Sequence, residues 1–386
     1  MPVTPRIVIL GPAPPDRGGI ARETALLFRE LSSRAEVSWL TFSRRYPRWL
    51  DPRRFDADPG LTGVAATAVL DYRSPRTWRR TGEAIAAARP HALLVPWWTA
   101  FWALPIRATL RRLGALAPEV RRVLLCHNVD DHEGSALKRF LSLGAFLSAD
   151  AFICHSGEDR DRLARLVPGR PAIALAHPVE ESERVPRERA REILGVDGPL
   201  VLFLGLVRRY KGVDLLLDAA PEIARSTGAR IAIVGEIFPD AREMMRRVAS
   251  SPVRERILLR DAYVPESDMD LWLAACDVVV LPYRAISGSG IAARAIAARR
   301  PMAAASVGGL KDVVDPGVTG ERFPPGDAAG LALAVRTVLA KGADDYGPGL
   351  SAAAAHASWP RYADAVLEFA AESPGKPPLP DILRLP

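Results

Sequence analysis

Three cationic residues lie close together in the stretch "LFLGLVRRYKGVDLLLDAA", which covers residues 202–220. Arg208, Arg209 and Lys211 follow a continuous apolar run, and apolar residues recur at helical spacing from Val213 onward. This pattern predicts a buried strand, a loop and a helix, with the cations on the loop at the carboxyl end of the strand. Ligands of open α/β sheets bind at that edge, and a helix N-terminus attracts anions. The cations therefore predict an anion site, although a solvated charged loop is the alternative interpretation.

A second turn has the composition of a phosphate-binding loop. The stretch "SGSGIAARAIAA" places Ser287, Gly288, Ser289 and Gly290 after the apolar run "VVVLP" and before an alanine-rich helical segment. Side chains this small let backbone N–H groups come close to a phosphate. An ordinary flexible turn with a serine cap is the alternative. Two such turns in one domain fit a diphosphate better than either turn fits alone.

Two other patterns invite a metal interpretation. "HNVDDHE" from His127 holds two histidines and three carboxylates within seven residues, but its spacing matches no zinc motif. We expect the edge of an active site there, with loop packing as the alternative. "DAD" at 56–58 and "DMD" at 268–270 resemble metal-diphosphate signatures and fit surface loops better. No metal site is predicted, and a hydrolase with two paired carboxylates stays open because no pair is identifiable.

An aromatic and basic stretch, "PWWTAFWALPIRATLRRLG", begins at Pro96. It contains four large aromatic residues and three arginines: Trp97, Trp98, Phe101, Trp102, Arg107, Arg111 and Arg112. The aromatic residues could form an acceptor wall that stacks on sugar or touches lipid. The alternative is a helix that packs on the sheet with solvated arginines. Peripheral contact with a membrane is an additional expectation.

The composition predicts a soluble globular protein with two domains. The chain has 386 residues, of which 48% are hydrophobic and 25% charged, so it can bury two cores. No apolar stretch reaches the roughly 18 residues that would span a bilayer. The N-terminus enters the apolar run "RIVIL" without the pattern of a signal peptide. Cys126, Cys154 and Cys276 are an odd set in or beside apolar runs, which predicts buried reduced thiols and a cytoplasmic protein.

The net charge of +7 is spread along the chain. A basic surface could attract anionic lipid, a charged sugar donor or nucleic acid. The sequence contains no run of five or six like charges and no nucleic-acid motif. No nucleic-acid partner is therefore expected.

Short apolar runs alternate with helical patterns along the whole chain, which predicts parallel sheets covered by helices on both faces. The candidate strands begin at Arg6, Val37, Ala92, Arg122, Ala151, Ala172, Leu200, Arg230, Arg256, Asp277 and Pro301. A charged stretch at 180–191 suits a linker between two doubly wound α/β domains. We expect domains at 1–182 and 183–355, followed at 356–386 by a C-terminal helix and a Pro-rich tail.

The order of several motifs resembles that of family 4 glycosyltransferases, which have the GT-B fold. In the second half the motifs are residues 201–220, "VGEIF" at 234–238, "AYVPESDM" at 262–269, "DVVVLPYRAISGSG" at 277–290 and "RRPMAAASVGGLKDVVDPGVTG" at 299–320. In the first half they are "GPAPPDRGGIARET" from Gly11, "CHNVDDHE" from Cys126 and "ICHS" from Ile153. The resemblance covers nearly the whole chain. It implies two Rossmann-like domains of doubly wound parallel sheets, facing a cleft that holds the active site.

The resemblance also implies an activity. The family transfers a sugar from a nucleotide-diphosphate donor to an acceptor hydroxyl, with retention at the anomeric carbon and without a bound metal. The implied partners are the nucleotide-sugar donor and a sugar, lipid-linked or small-molecule acceptor. No cofactor is implied beyond the donor substrate.

Roles follow from the resemblance by position. Arg208 and Lys211 would hold the donor diphosphate, and His127 would reach the donor sugar. The other implied donor-binding residues are Gly18, Gly19, Tyr263, Val264, Ser289, Gly290 and Ile291. The acceptor side would include Trp97, Trp98 and Asn128. The C-terminal helix would pack on the N-terminal domain.

The chain departs from the family at two acidic positions. The wider family carries two glutamates eight residues apart, which bind hydroxyls of the donor sugar and the ribose, and these positions hold Ile286 and Arg294 here. Arg294 and the spare carboxylate of Glu236 are the remaining donor-binding candidates. The departure favours one alternative, a glycosyltransferase-like binding or scaffold protein that has lost its chemistry. A GT-B enzyme that is not a transferase, such as an epimerase, has no positive motif.

Overall fold

The described chain forms two units, each with its own sheet. The computed structural model describes residues 4–14, 16, 19–47, 65–129, 136–180 and 185–372. The N-terminal unit runs to Leu175 and also includes the last helix, which begins at Trp359, whereas the C-terminal unit comprises Ala176–Ser358. The predicted domain limits were 182/183 and 355/356. The units divide slightly differently because Val179 pairs with Ser358 and donates its N–H to the Ala357 carbonyl at 2.7 Å.

The N-terminal unit contains a seven-stranded parallel sheet in the order β3-β2-β1-β4-β5-β6-β7. Its strands are β1 (Arg6–Leu10), β2 (Glu36–Arg44), β3 (Thr67–Asp71), β4 (Ala92–Trp97), β5 (Arg121–Cys126), β6 (Ala151–Cys154) and β7 (Ala172–Ala174). Its helices are α1 (Gly19–Ser32), α2 (Pro75–Ala88), α3 (Ala103–Leu116), α4 (Ala136–Phe146), α5 (Gly157–Leu166) and α14 (Trp359–Ala371).

Successive residues of a strand face opposite sides of a sheet, and this sheet has an apolar core on each side. Ile7 and Ile9 face one core, to which α1 and α14 contribute, and Val8 and Leu10 face the other, built with α2 and α3. The final helix packs against α1, and its Asp364 Oδ1 forms an ion pair at 2.7 Å with Nε of Arg34, which follows α1. Helices on both faces explain why the central strands are apolar throughout.

The C-terminal unit contains a six-stranded parallel sheet in the order β10-β9-β8-β11-β12-β13. Its strands are β8 (Leu200–Leu204), β9 (Arg230–Val234), β10 (Ile257–Arg260), β11 (Val278–Leu281), β12 (Met302–Ala305) and β13 (Gly320–Phe323). Its helices are α6 (Arg187–Leu194), α7 (Val213–Thr227), α8 (Glu243–Ala249), α9 (Glu266–Ala275), α10 (Gly290–Ala297), α11 (Leu310–Val313), α12 (Ala328–Lys341) and α13 (Gly347–His356). The strand order within each unit confirms the predicted α/β class with doubly wound parallel sheets.

Two strands lie outside the predicted set. The strand β3 is an edge strand whose first two residues are exposed, and β13 is an edge strand with the charged pair Glu321 and Arg322 at its centre. Neither strand forms a continuous apolar run, because an edge strand is not enclosed on all sides. A search of the sequence for continuous apolar runs therefore misses both edge strands.

The cysteines are free and buried, as predicted. Burial raises the pKa of the Cys276 thiol to about 12, and burial also raises the pKa of Cys154 well above its usual value. Such thiols are poor nucleophiles at neutral pH. Among the described residues, no helix is both long and apolar enough to cross a bilayer.

Candidate functional site

The order of the C-terminal sheet reverses between β8 and β11, which are hydrogen-bonded neighbours. In open α/β sheets, ligands bind outside the carboxyl ends of the strands at such a switch point. The cationic turn at 205–212 follows β8, and the loop at 282–289 follows β11. Both turns that the sequence analysis selected therefore lie at the switch point.

The cationic turn packs tightly against the loop that follows β11. Arg209–Lys211 form one turn of 3-10 helix, which Gly212 ends with a left-handed φ of 67°. A Cβ atom on Gly212 would lie 2.0 Å from the carbonyl oxygen of Pro282, so only glycine fits there. The N–H of Arg284 donates to the Tyr210 carbonyl at 2.8 Å. The backbone that carries the cations is therefore fixed from two sides.

The ammonium of Lys211 lies at the carboxyl end of β8. Its Nζ is 5.3 Å from the centre of the buried Tyr283 ring, a cation–π distance. Burial, with the positive charge of Arg208 as the second cause, lowers the pKa of Lys211 to about 8. Among the described residues, no carboxylate forms an ion pair with Lys211. A cation in these surroundings is stabilised when an anion binds beside it.

Arg208 is held by a carboxylate and an aromatic ring. Its Nε lies 3.1 Å from Oδ1 of Asp240, and its guanidinium lies 4.6 Å from the centre of the Phe238 ring. Asp240 also accepts the N–H of Arg209 at 3.1 Å. Burial tends to raise the pKa of Asp240, but these hydrogen bonds and the charge of Arg208 hold it below its usual value. Asp240 thus orders the turn, a role that sequence reasoning missed because the residue lies 32 positions away.

The start of α10 supplies backbone donors at the same place. The Ser289 hydroxyl accepts the N–H of Ala292 at 3.2 Å, which leaves the N–H groups of Gly290 and Ile291 at the open end of the helix. A Cβ atom built on Gly205 would lie 3.4 Å from Nζ of Lys211 and 3.5 Å from Cδ1 of Ile291. The ammonium and the helix start therefore meet at the end of β8, where they can act together on one anion.

The carboxyl edge of the N-terminal sheet carries a second cluster. The strands β5 and β6 pair in parallel register with Cys126 opposite Cys154, so His127 and His155 leave the sheet side by side. Glu23 on α1 approaches both imidazoles, with Oε2 3.7 Å from Nδ1 of His127 and Oε1 3.4 Å from Nε2 of His155. The sequence analysis selected His127 alone. The repeated "CH" after two successive strands was the signal that would have added His155.

A family model matches most of the C-terminal unit. Residues 198–341 match the model described as "Glycosyl transferases group 1". The C-terminal unit is therefore similar to this group of glycosyl transferases over the matched residues. The matched segment contains the cationic turn, the loop after β11 and the start of α10.

Curated relatives match this chain over part of their length. A D-inositol 3-phosphate glycosyltransferase of Xylanimonas cellulosilytica is 32% identical over 232 residues, covering 58% of this chain and 54% of the relative. A D-inositol 3-phosphate glycosyltransferase of Frankia alni is 33% identical over 145 residues, covering 35% of each chain. The chain thus spans about half or less of the length of the curated relatives it matches.

Solved structures match nearly the whole chain in fold. The Anabaena protein HepE in complex with UDP superposes with a TM-score of 0.73 at 15% identity, covering 94% of this chain and 99% of that one. Sucrose-phosphate synthase from Thermosynechococcus elongatus has a TM-score of 0.71 at 19% identity, covering 94% and 98%. Likeness at such low identity shows the fold alone. The fold is GT-B, as the motif order implied.

Arg294, which the sequence resemblance aligns with an acidic position of the wider family, is engaged in ion pairs. Its guanidinium lies 2.7 Å from Glu266 and 3.4 Å from Asp270, both on α9. Two carboxylates already face this position, so a third would be repelled. The Ile286 carbonyl packs against Gly308, and its side chain lies on the domain core. The local packing suits the residues that are present.

The remaining predicted donor-binding residues of the domain lie at neighbouring strand ends. Glu236 follows β9, and its carbonyl accepts the N–H of Val207 at 2.9 Å, beside the cationic turn. Tyr263 is 47% exposed, whereas Val264 is 3% exposed and belongs to the core. A nucleobase contact by Val264 would therefore have to come from its backbone.

The structure describes only some of the site residues that were predicted in the N-terminal unit. Gly19 begins α1, whereas Gly18 lies outside the described residues, as do the acidic residues of "HNVDDHE" and the "DAD" motif. Asn128 donates from Nδ2 to the Trp98 carbonyl at 3.2 Å. It therefore ties the loop after β5 to the end of β4.

The tryptophans do not form an exposed wall. Trp97 is 2% exposed and packs edge-on against Phe146, because β4 continues one residue past the predicted end and turns this side chain into the core. Trp98 is half-buried and donates from Nε1 to the Tyr46 hydroxyl at 2.9 Å. The predicted acceptor-facing position of Trp97 is wrong for its side chain. Packing of the stretch on the sheet, the alternative interpretation, describes it better.

Proposed function

We propose that the protein is a glycosyltransferase that moves a sugar from a nucleoside diphosphate sugar to an acceptor hydroxyl. The observation that carries the proposal is the convergence of Lys211 and the start of α10 at the end of β8, with Arg208 on the same turn. This arrangement combines two cations with backbone donors at a topological switch point. It suits a diphosphate, which carries several negative charges on neighbouring oxygens.

The proposed step breaks the bond between the anomeric carbon and the donor diphosphate and forms a bond to the acceptor oxygen. Negative charge grows on the departing diphosphate, and the acceptor hydroxyl gives up its proton. Cations and helix N–H groups that are already in place stabilise this charge without reorganising. We propose that they make a metal ion at the diphosphate unnecessary. Retention at the anomeric carbon, and a role for His127 beside the donor sugar, follow from the family 4 resemblance.

The donor and acceptor classes rest on the relatives. HepE was crystallised with UDP and with UDP-glucose, which supports a nucleotide-sugar donor and makes UDP a sensible first probe. Several curated relatives are named D-inositol 3-phosphate glycosyltransferases, so an inositol phosphate belongs among the acceptors to be tried. A sugar or a lipid-linked acceptor remains within the proposal. Contact with a membrane surface stays a prediction, for which Leu137 and Phe140 on α4, exposed beside Lys138 and Arg139, are now better candidates than the tryptophans.

The alternative function is a binding or scaffold protein that keeps the diphosphate site without catalysing transfer. The observation that favours it is the replacement of two family glutamates by Ile286 and Arg294. The intact cationic turn and the paired carboxylates on α9 favour transfer, because carboxylates still reach this face of α10.

A panel of nucleotide sugars tests the proposal. The full chain is incubated with UDP-, GDP-, ADP- and dTDP-sugars and mixed acceptors, and release of the nucleoside diphosphate is measured. We expect one donor to be consumed, and Lys211→Ala or Arg208→Ala to lower the rate by roughly 10²–10³-fold with the fold intact, because each removes a preorganised charge.

Arg209 supplies the matched control, since it is the adjacent arginine and its side chain is exposed. Arg209→Ala should keep most of the activity. Nucleotide binding without turnover would favour the scaffold. Full activity in the Lys211 variant would refute the assignment of the diphosphate site.

A further inference from the structure

A carboxylate and two imidazoles meet at the carboxyl edge of the N-terminal sheet. One ligand atom from each of Glu23, His127 and His155 lies within 4.8 Å of the others. The side chains are 17%, 10% and 1% exposed, respectively. A nearly buried set of two nitrogen ligands and one oxygen ligand has the composition of a catalytic zinc site. Neither the family model nor the proposed transfer assigns a metal to these residues.

The separations are those of ligands around one ion. Nε2 of His155 lies 3.4 Å from Oε1 of Glu23, and Nδ1 of His127 lies 3.7 Å from Oε2. A charge-assisted hydrogen bond would close to about 2.7–2.9 Å. Two ligands of a tetrahedral ion are about 3.3–3.6 Å apart, since bonds from zinc to nitrogen or oxygen measure about 2.0–2.2 Å. The gap between Glu23 Oε1 and His155 falls within this spacing, and the gap between Glu23 Oε2 and His127 lies slightly beyond it.

The backbone fixes the orientation of His155. Its Nδ1 lies 3.2 Å from the carbonyl oxygen of Leu175, which can only accept, so Nδ1 carries the proton. Nε2, which lies against Glu23, is then the nitrogen that would coordinate a metal. A carbonyl that accepts from the far nitrogen is the usual outer-shell partner of a metal-bound histidine. This contact orients the ring before any ion binds.

We propose that Glu23, His127 and His155 bind one divalent transition-metal ion, for which Zn²⁺ is the best match. Two neutral imidazoles and one carboxylate suit Zn²⁺. The proposed zinc site does not rest on the proposed transfer, although His127 is also the residue that the family resemblance places beside the donor sugar.

Metal binding is tested on the full chain after it has been stripped with a chelator. Zn²⁺ is titrated against a chromophoric chelator, and Co²⁺ is added to a second sample because four-coordinate Co²⁺ absorbs strongly in the visible range. The variants are Glu23→Gln, His127→Ala and His155→Ala. His356→Ala is the matched control, because it removes a histidine on α13 of the C-terminal unit. Circular dichroism of each metal-free variant verifies the fold.

We expect one Zn²⁺ per chain, a four-coordinate Co²⁺ spectrum, and affinity at least about tenfold weaker in each cluster variant. The His356 variant should bind like the unaltered chain. If a cluster variant does not fold, X-ray absorption of the zinc-loaded unaltered chain tests the proposed site instead. The spectrum must then show nitrogen and oxygen ligands near 2.0–2.1 Å from zinc, including imidazole.

Several results would overturn the proposal. They are the absence of stoichiometric binding, an octahedral Co²⁺ spectrum without imidazole, or equal affinity in the folded variants. Lys211→Ala separates the two sites, because it should lose UDP binding and keep zinc. Zinc binding without transfer would refute only the proposed function, and transfer without zinc binding would refute only this inference.

Discussion

At the residue scale, the two cations that we assign to the diphosphate differ in their surroundings. Arg208 is neutralised by Asp240, whereas Lys211 has a lowered pKa and lies over the Tyr283 ring. Because of this difference, we expect Arg208 and Lys211 to have different roles in binding an anion. Arg208 is oriented in advance by its carboxylate, and Lys211 supplies the charge that responds most to an incoming anion.

The pH dependence of nucleotide binding tests the role of the Lys211 ammonium. The pKa of Lys211 is lowered to about 8, so the ammonium that attracts the diphosphate is lost as the pH rises through that value. We expect the affinity for UDP to fall by about tenfold or more between pH 7 and pH 9.5, since a hydrogen bond to a charged group contributes about 1.5–3 kcal/mol. An anion beside Lys211 raises its pKa, so binding near pH 8–9 should take up protons.

Titration calorimetry in buffers of different ionisation enthalpy measures both effects. In Lys211→Ala the affinity should be low and nearly independent of pH in this range. The control is Lys341→Ala, whose ammonium instead donates to the Gly317 carbonyl, and it should keep the pH dependence. A flat profile in the unaltered chain would show that Lys211 does not bind the diphosphate.

Whether a site residue can be predicted from the sequence depends on how far along the chain its structural partners lie. Arg208 and Lys211 could be selected because the strand, the turn and the helix that position them are consecutive. Glu23 could not, since it meets His155 only when α1 and β6 reach the same sheet edge, whereas the repeated "CH" was a usable signal for His155. Trp97 was misplaced because a one-residue extension of β4 decides which way its side chain faces.

At the element scale, the site depends on a glycine that joins the 3-10 turn to α7. Gly212 combines a left-handed φ of 67° with a backbone contact to Pro282, so its replacement affects both strain and packing. The turn can therefore hold its cations only if this position has no side chain.

Two glycine variants separate strain from packing. Gly228 also has a φ of 67°, but nothing lies within 4 Å of its missing Cβ. Gly228→Ala should lower the free energy of unfolding by about 1–2 kcal/mol through backbone strain alone. Gly212→Ala should cost about 1–3 kcal/mol more, because the methyl group displaces the turn or Pro282.

Denaturant unfolding and UDP binding are the measurements. Only Gly212→Ala should weaken UDP binding. Equal stability losses, with binding intact in both variants, would mean that the close contact with Pro282 does not hold the turn in place.

Strands and helices could be predicted from the sequence where the burial of their apolar residues is complete. The strand β8 is buried at every position and reads as a continuous apolar run, and α7 shows helical spacing directly after Gly212. The edge strands β3 and β13 mix exposed and buried positions, so no single period marks them. Their pairing partners, which are distant in sequence, decide that they are strands.

At the scale of the whole molecule, both units share one strand order over six strands, to which the N-terminal sheet adds β7 at its edge. The order reverses between β1 and β4 in one sheet and between β8 and β11 in the other. Alternation of apolar runs and helical patterns was sufficient to predict this class of fold. The two units carry different chemistry at their sheet edges, with cations and helix donors in one and imidazoles with a carboxylate in the other.

The central claim is that the C-terminal unit binds the diphosphate of a nucleotide at the switch point of its sheet. A crystal structure of the full chain with UDP tests it most directly. We predict density for the diphosphate within hydrogen-bonding distance of Lys211 Nζ and of the backbone N–H groups of Gly290 and Ile291, with Arg208 on the same phosphates. A diphosphate bound elsewhere on the chain, with these groups left in contact with solvent, would contradict the account.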